Sequence, residues 1–560
     1  MLLNLKKINL EYPAIILMAV FAGFLISFYN LSVLFLLVSI LFIIISFKYF
    51  NQVLFLLILY IPFQVALNIS AGIDLASGRV FILYLFAVWI IRSLAEKRFV
   101  IRFNLQTLLI CLFLSIAVFS TLQAWDTERA FRKILVFLSI FPLYFIITSL
   151  SIPSLCKVGT RHCLVSTATK GLDVVKNKNN YIYKILDALI VSGFILSLIG
   201  IIQFAMQFLI GIDPIINFWS EYVSPIFYGN TFGAEVIANP SWLVNISGLT
   251  ILRAFSLFPD PHMFSFYLGL LIPIVLAIAL VNKNNINCHS VRQLADSESN
   301  SSNDLSCFQL VKQIIKRIGR LCGNKQRILK QVQNDKCAFF NSKLLYLILV
   351  IMLLAELLTF SRGGYIGMVA GIGITIILLW RYISFNKKII LGLATGVLIL
   401  FLSFTNQSIV NRFLSSFDLN EGSNTERIKN WNQGYEMFAD NFLTGVGIGN
   451  YSIYLYPTAE YRTPIYAHNL YLDIGAEMGI FALIVWLLLI GITIWQLFKI
   501  GKRSKDAFSR ALSFGLVGSL IWFSAHSFFD TPIYSPTILA IFVVIISLSV
   551  MIVKVSSIKY

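Results

Sequence analysis

The chain has 560 residues, of which 58% are apolar, 14% aromatic and 12% charged, with a mean hydropathy of +0.82 and a formal net charge of +18. Soluble domains are about a quarter charged and under half apolar, so soluble enzymes, disordered tails and secreted disulfide scaffolds are excluded in favour of a chain mostly dissolved in lipid. The basic excess suits nucleic acid only if it clusters on one surface; in a membrane protein Lys and Arg collect in cytoplasmic loops.

A membrane span needs about 20 largely apolar residues. Lys6 and Lys7 precede a first span at 13–29 with no small-residue cleavage site after it, so this span is expected to be retained. Spans at 31–47, 52–68, 79–92, 104–122 and 134–150 complete an N-terminal six-helix region, 1–150. A polar insertion at 151–181 leads to a membrane region at 182–281, with spans at 182–208 and 262–281 around a loop at 209–261. A second, basic insertion at 282–343 contains Val311–Arg320, either a short amphipathic helix on anionic lipid or a solvated linker. The last region, 344–560, holds spans at 344–360, 364–380, 389–404, 477–498, 511–527 and 536–553, with a long loop at 405–476. The expected fold is an all-α polytopic membrane protein of about fourteen spans (12–14).

With the N-terminus cytoplasmic, the inside segments hold 34 of the 44 Lys and Arg residues and the outside only ten, against sixteen acidic residues. This alternation orients the chain with both termini, 151–181 and 282–343 inside and 209–261 and 405–476 outside, and it accounts for the basic excess without nucleic acid. Cys111 lies in an apolar stretch, and Cys156, Cys163, Cys288, Cys307, Cys322 and Cys337 fall in the two insertions with no C-x-x-C pair. That spacing is no zinc signature, and a cytosolic face disfavours disulfides.

The informative polar residues cluster at the outer boundary. Arg253 begins a stretch ending at His262, and Arg362 sits in Ser361-Arg362-Gly363-Gly364 between two spans, where the glycines are expected to let the backbone turn sharply. Arginine so near hydrocarbon is costly unless it faces a polar cavity or a partner, although a snorkelling anchor or a salt bridge is the alternative for Arg362. Glu356 is the one carboxylate well inside a span, either a buried partner for an arginine or a residue at a helix contact. The long loop carries Arg427 and Trp431, then Gly445, Gly447 and Gly449, then His468-Asn469. No strand precedes the glycine run, so a tight turn is expected rather than a phosphate cradle. His162 and His289 are inside by charge, whereas His262, His468 and His526 are outside, where an imidazole suits general-base work near neutral pH. His526 and Asp530, four apart, fit an orienting hydrogen bond or a ligand pair; no metal-binding spacing appears, so neither a metal nor another cofactor is expected.

These motifs in order resemble the O-antigen ligase and polymerase superfamily: Ser361-Arg362-Gly363, Arg427 with Trp431, Gly445 to Gly449, His468-Asn469-Leu470-Tyr471-Leu472, and Glu477-Met478-Gly479. The likeness covers roughly 340–540, with Arg253 to His262 similar to an upstream element in which His262 stands at an Asn position. The resemblance implies a GT-C-like enzyme of the bacterial inner membrane, moving a glycan from undecaprenyl diphosphate to an acceptor hydroxyl at the periplasmic face without metal or nucleotide. Arg362 and Arg253 would hold the diphosphate, His468 would be the base for an inverting attack, and Arg427, Trp431, Asn469 and Glu477 would contact substrate. The acceptor would be the lipid A core in a ligase, a growing glycan in a polymerase, or a protein. A transporter or flippase for lipid-linked sugars is the competing class. That class is expected to show internal repeats and midplane charges; the sequence shows no convincing repeat, and only Glu356 lies deep.

Overall fold

A computed structural model describes residues 45–70, 73–96, 103–150, 167–238, 240–246, 248–281, 342–389, 422–459 and 465–557. The spans expected at 13–29 and 389–404, nearly all of 31–47, both insertions except their C-terminal ends, and Val311–Arg320 lie outside these residues.

Among the described residues nine helical segments are long and apolar enough to cross a membrane, by length and composition. Two of the expected spans are short helices. Helix α1 (Phe50–Tyr60) runs into a 3-10 turn at Ile61–Phe63, where Pro62 ends it, and the chain leaves as an antiparallel hairpin of β1 (Ala66–Ser70) and β2 (Ile73–Ala76). The segment expected at 344–360 is α11 (Ser342–Leu357), only 16 residues.

The other expected spans among the described residues appear with shifted ends. They begin with α2 (Ser77–Ala95) and α3 (Leu105–Ser120), the latter capped by the Asn104 side chain on Thr107 N. A pair, α4 (Thr127–Ile140) and α5 (Pro142–Ser149), and the long α6 (Thr167–Ile210) follow. After α6 come α7 (Ile212–Phe218), α8 (Ser224–Tyr228) and α9 (Asn230–Ala238), then a second hairpin of β3 (Leu243–Ile246) and β4 (Leu249–Leu252). The all-helical expectation therefore holds for the membrane part, with a two-stranded hairpin in each of two connections.

The remaining elements are α10 (Pro261–Leu280), α12 (Arg362–Leu379), α13 (Gly422–Asp440), α14 (Tyr451–Leu455), α15 (Leu470–Arg503), α16 (Ala507–His526) and α17 (Pro536–Ser557). Helix α15 begins seven residues before the expected 477, so Asp473 and Glu477 lie in its first turns rather than in or at the edge of a loop.

Helices pack through small residues, since lipid supplies no hydrophobic drive for helix association and close backbone approach must supply the contact. Gly363, Gly367 and Gly371 line one face of α12, and α16 lies on it. A Cβ at Gly367 would stand 2.5 Å from Trp522 Cδ1, and one at Gly371 would stand 2.8 Å from Gly518 O. Trp522 is fully buried in the slot that Gly269 of α10 closes from the other side. Helix α10 is the centre of the bundle, 94% buried along its span. At one end the basic connections meet: Lys387 Nζ donates to Ala279 O and Leu280 O, and Arg510 lies over the Tyr382 ring. The hairpins, α13 and the His468 segment gather at the opposite end.

Candidate active site

The site is built from three chain breaks at that end: the 358–361 turn between α11 and α12, the start of α15, and the 527–535 connection after α16. Phe360 has a left-handed φ of 49°, a strained value for a bulky residue. Arg253 holds the turn, donating from Nε to Thr359 O (2.8 Å), from Nη2 to Phe360 O (3.3 Å) and from Nη1 to Ser241 O (2.9 Å). Ser361 caps α12 through Oγ, which accepts from Gly364 N at 3.2 Å. Arg362 is the first residue of that helix and is buried.

Gly363 and Gly364 are helical, so turn flexibility is not their reason for being there. A Cβ at Gly363 would lie 2.7 Å from His526 Cδ2, and one at Gly364 would lie 2.6 Å from Glu356 Oε1. The two glycines let α10, α11 and α16 close around the start of α12. Glu356 accepts from Ser265 Oγ (2.6 Å) and ties α11 to α10, which is the helix-contact alternative rather than the arginine pair.

Helix α15 starts at Asn469, whose Oδ1 accepts from Tyr471 N (3.0 Å) and Leu472 N (3.3 Å), so its side chain is committed to the cap. The preceding His468 has φ 51°. Asp473 fixes both flanks, accepting from Ala467 N (2.9 Å) and from the Thr531 hydroxyl. Leu470 N donates to Ser527 O (2.9 Å), which locks the His468 segment onto the end of α16.

Farther along, α15 kinks at Gly479 (φ 77°), and the glycine-rich turn completes the break. Gly445, Gly447 and Gly449 all have positive φ. Val446 N donates to Ala476 O (2.9 Å), Gly447 N to Glu477 O (3.0 Å) and Ile480 N to Phe442 O (2.9 Å), so the backbone groups freed by the kink are satisfied. The run is a tight turn, as its sequence context suggested.

These breaks bring His468 Nδ1 to 3.5 Å from Asp530 Oδ1. The alternative read from spacing, Asp530 on His526, is not the one formed, because α16 ends at His526 and Asp530 lies past the turn. Burial pushes the His468 imidazole down, but the hydrogen bond and charge of Asp530 outweigh it and leave the ring above its ordinary 6.5. Burial pushes Asp530 up, and the hydrogen bond and charge of His468 hold it below the carboxylate range. The Arg427 charge opposes protonation of His468.

Arg253, Arg427, His262, His468 and Asp530 therefore gather at this end, and Arg362 begins α12 directly after the turn that Arg253 holds. Trp431 lies against Phe529, ring centroids 6.2 Å apart, next to Asp530. Glu477, by contrast, is buried in a structural pair: the Tyr534 hydroxyl donates to it, and Lys133 Nζ of α4 lies 3.9 Å from its other oxygen. Lys133 also stands 3.2 Å over the Tyr534 ring. Sequence reasoning did not single out Lys133 or pair Asp530 with His468; both partners are remote along the chain, and no local spacing marks them. The described residues contain no cluster of His, Cys, Asp and Glu with metal-ligand geometry.

Comparison with known proteins agrees with this region. The chain is 29% identical over 193 residues to the teichuronic acid biosynthesis protein TuaE of Bacillus subtilis (strain 168), a match covering 32% of this chain and 39% of that protein. Residues 347–487, which hold Arg362, Arg427, Trp431 and His468, match the family model described as O-Antigen ligase, so this membrane protein carries an O-antigen ligase family domain.

Proposed function

We propose that the protein transfers a glycan from undecaprenyl diphosphate to an acceptor hydroxyl, at the periplasmic face of a bacterial inner membrane, on a GT-C-like scaffold with both termini cytoplasmic. The observation that carries the proposal is the His468–Asp530 pair, 3.5 Å apart, with His468 inside the family-matched region and under the charge of Arg427. Asp530 on Nδ1 orients the ring and leaves Nε2 as the base. Nε2 takes the acceptor hydroxyl proton as its oxygen attacks the anomeric carbon, the carbon–oxygen bond to diphosphate breaks with its electrons going to phosphate, and configuration inverts. Arg362, buried at the start of α12, and Arg427 supply the cationic surface for the leaving diphosphate, a role that guanidinium forks perform without a metal. Arg253, expected as a second clamp, serves this surface indirectly by fixing the 358–361 turn. Trp431 offers a ring face to sugar.

The lipid A core is the acceptor in the ligase reading. A polymerase reading, with a growing glycan as acceptor, is the alternative, and the similarity to a teichuronic acid biosynthesis protein agrees with glycan assembly in either reading. Purified protein with lipid-linked glycan and either acceptor separates them. Transfer should persist in excess chelator, and His468→Ala should lose about 10²- to 10⁴-fold in turnover. Transfer at the wild-type rate by that variant would overturn the base assignment, and glycan uptake without transfer would favour a flippase.

A further inference from the structure

Ser361 Oγ joins three helix ends. Besides accepting from Gly364 N within α12, it lies 3.0 Å from His262 Nδ1 of α10 and 3.4 Å from His526 Nε2 of α16. His262 Nε2 in turn lies 3.5 Å from Arg253 Nη2. The proton positions in this chain follow from donor and acceptor inventories.

A hydroxyl has one proton and two lone pairs. Gly364 N–H takes one lone pair, so one histidine must donate to Ser361 and the other must accept from it. Arg253 decides which, because a guanidinium only donates. His262 Nε2 is therefore the bare nitrogen and its Nδ1 carries the proton. That proton fills the second lone pair of Ser361, whose own O–H then points to His526 Nε2. The opposite polarity, or a doubly protonated His262, would set an imidazole N–H against a guanidinium N–H. His526 completes the chain with its ring flat on Phe266, centroids 3.6 Å apart and planes 5° apart.

We propose that this polarised chain, Arg253 to His262 to Ser361 to His526, is a positioning device for Arg362 and thereby sets how tightly the site captures a lipid-linked diphosphate. Ser361 immediately precedes Arg362, and its rotamer is fixed by partners on three helices. His526 lies directly against Gly363, the residue after Arg362. The turn on the other side is strained at Phe360 and held by the same Arg253 that starts the chain. Ser361 and His526 are fully buried, so an unmet hydroxyl donor there has no water to turn to. Freeing Ser361 lets the first turn of α12 relax, and a binding group must be held within about 0.5 Å to work.

The inference rests on the reading that Arg362 meets the diphosphate. The test measures binding of undecaprenyl diphosphate to the full-length protein in nanodiscs, with turnover of lipid-linked glycan alongside, for wild type, Arg362→Ala, Ser361→Ala, His526→Phe and His526→Gln. Phe keeps the stack on Phe266 but removes the acceptor; Gln restores an acceptor oxygen. Expected is a loss of affinity of roughly tenfold or more for Ser361→Ala and His526→Phe, recovery to about threefold of wild type for His526→Gln, and an unmoved acid limb of the pH–rate profile in all three. Wild-type affinity in His526→Phe would overturn the proposal. So would equal impairment of His526→Gln and His526→Phe with equal loss of thermal stability, since packing alone would then explain both. Normal binding by Arg362→Ala would instead remove the diphosphate reading itself.

Discussion

His468 and Asp530 belong to different connections, one before α15 and one after α16, and meet with Nδ1 3.5 Å from Oδ1. Neither side chain sits inside a regular helix. Bonds beside the pair tie both connections down: Leu470 N donates to Ser527 O, and Thr531 N donates to the Asp530 carboxylate at Oδ1.

The pair makes activity pH-dependent in a stated direction. A general base works only when neutral, and Asp530 stabilises the imidazolium, so the acid limb should lie above the ordinary histidine value of 6.5. Asp530→Asn removes the charge that raises the ring, and the limb should move to lower pH while the plateau rate falls from lost orientation. A pH–rate profile of both proteins checks this; a limb that stays in place means that His468 is not the titrating base.

Arg253→Lys should lower stability more than a clamp residue would. The guanidinium donates to Ser241 O, Thr359 O and Phe360 O, and one ammonium nitrogen cannot reach all three. Each buried carbonyl left without a donor costs about 1–3 kcal/mol. Thermal unfolding in detergent should fall clearly; an unchanged midpoint with a raised donor KM would mean that Arg253 faces the diphosphate instead.

Lys133 and Glu477 should be coupled. Removing one partner of a buried pair typically costs about 3–5 kcal/mol because the other charge is stranded. Lys133→Met and Glu477→Gln should each destabilise, and the double variant should lose less than the two together. Additive losses in the double-mutant cycle would detach Glu477 from Lys133 and leave it available to substrate.

Gly479→Ala should destabilise by more than about 1 kcal/mol, since φ is 77° there and a Cβ would strike Leu443 O. Gly491→Ala on the same helix meets nothing within 4 Å and should be neutral or slightly stabilising. Unfolding midpoints of the two variants compare them directly.

Orientation is open to cysteine labelling. With the seven native cysteines replaced, Thr458→Cys at the site end should react with an impermeant reagent added outside intact spheroplasts. Lys505→Cys at the basic end should not. Both positions are exposed on opposite sides of the bundle. Labelling of 505 alone would place the site in the cytoplasm.

Composition and hydrophobic run length determined a polytopic helical membrane protein, because apolar residues over about 20 positions have few other solutions in lipid. Nearly every span among the described residues was legible, with its ends displaced by several residues where a cap or a glycine decided, as at Asn469 and Gly479. Run length overstated the segment at 52–68, since Pro62 and the hairpin after it leave no periodic trace in apolar content. The ordered motifs also exposed Arg362, Arg427, Trp431 and His468 as a group. What they do to one another was decided by tertiary structure. Asp530 lies four residues from His526 in sequence, yet it serves His468, because a helix ended between the two. Arg253 and Arg362 look alike as arginines at a membrane boundary, but three carbonyls around the strained 358–361 turn bind the guanidinium of Arg253. Glu477 acquires Lys133 from a helix more than three hundred residues earlier. Hydrogen-bond partners are fixed by where chain breaks fall in space, and a pattern of residue types along one chain carries no record of that.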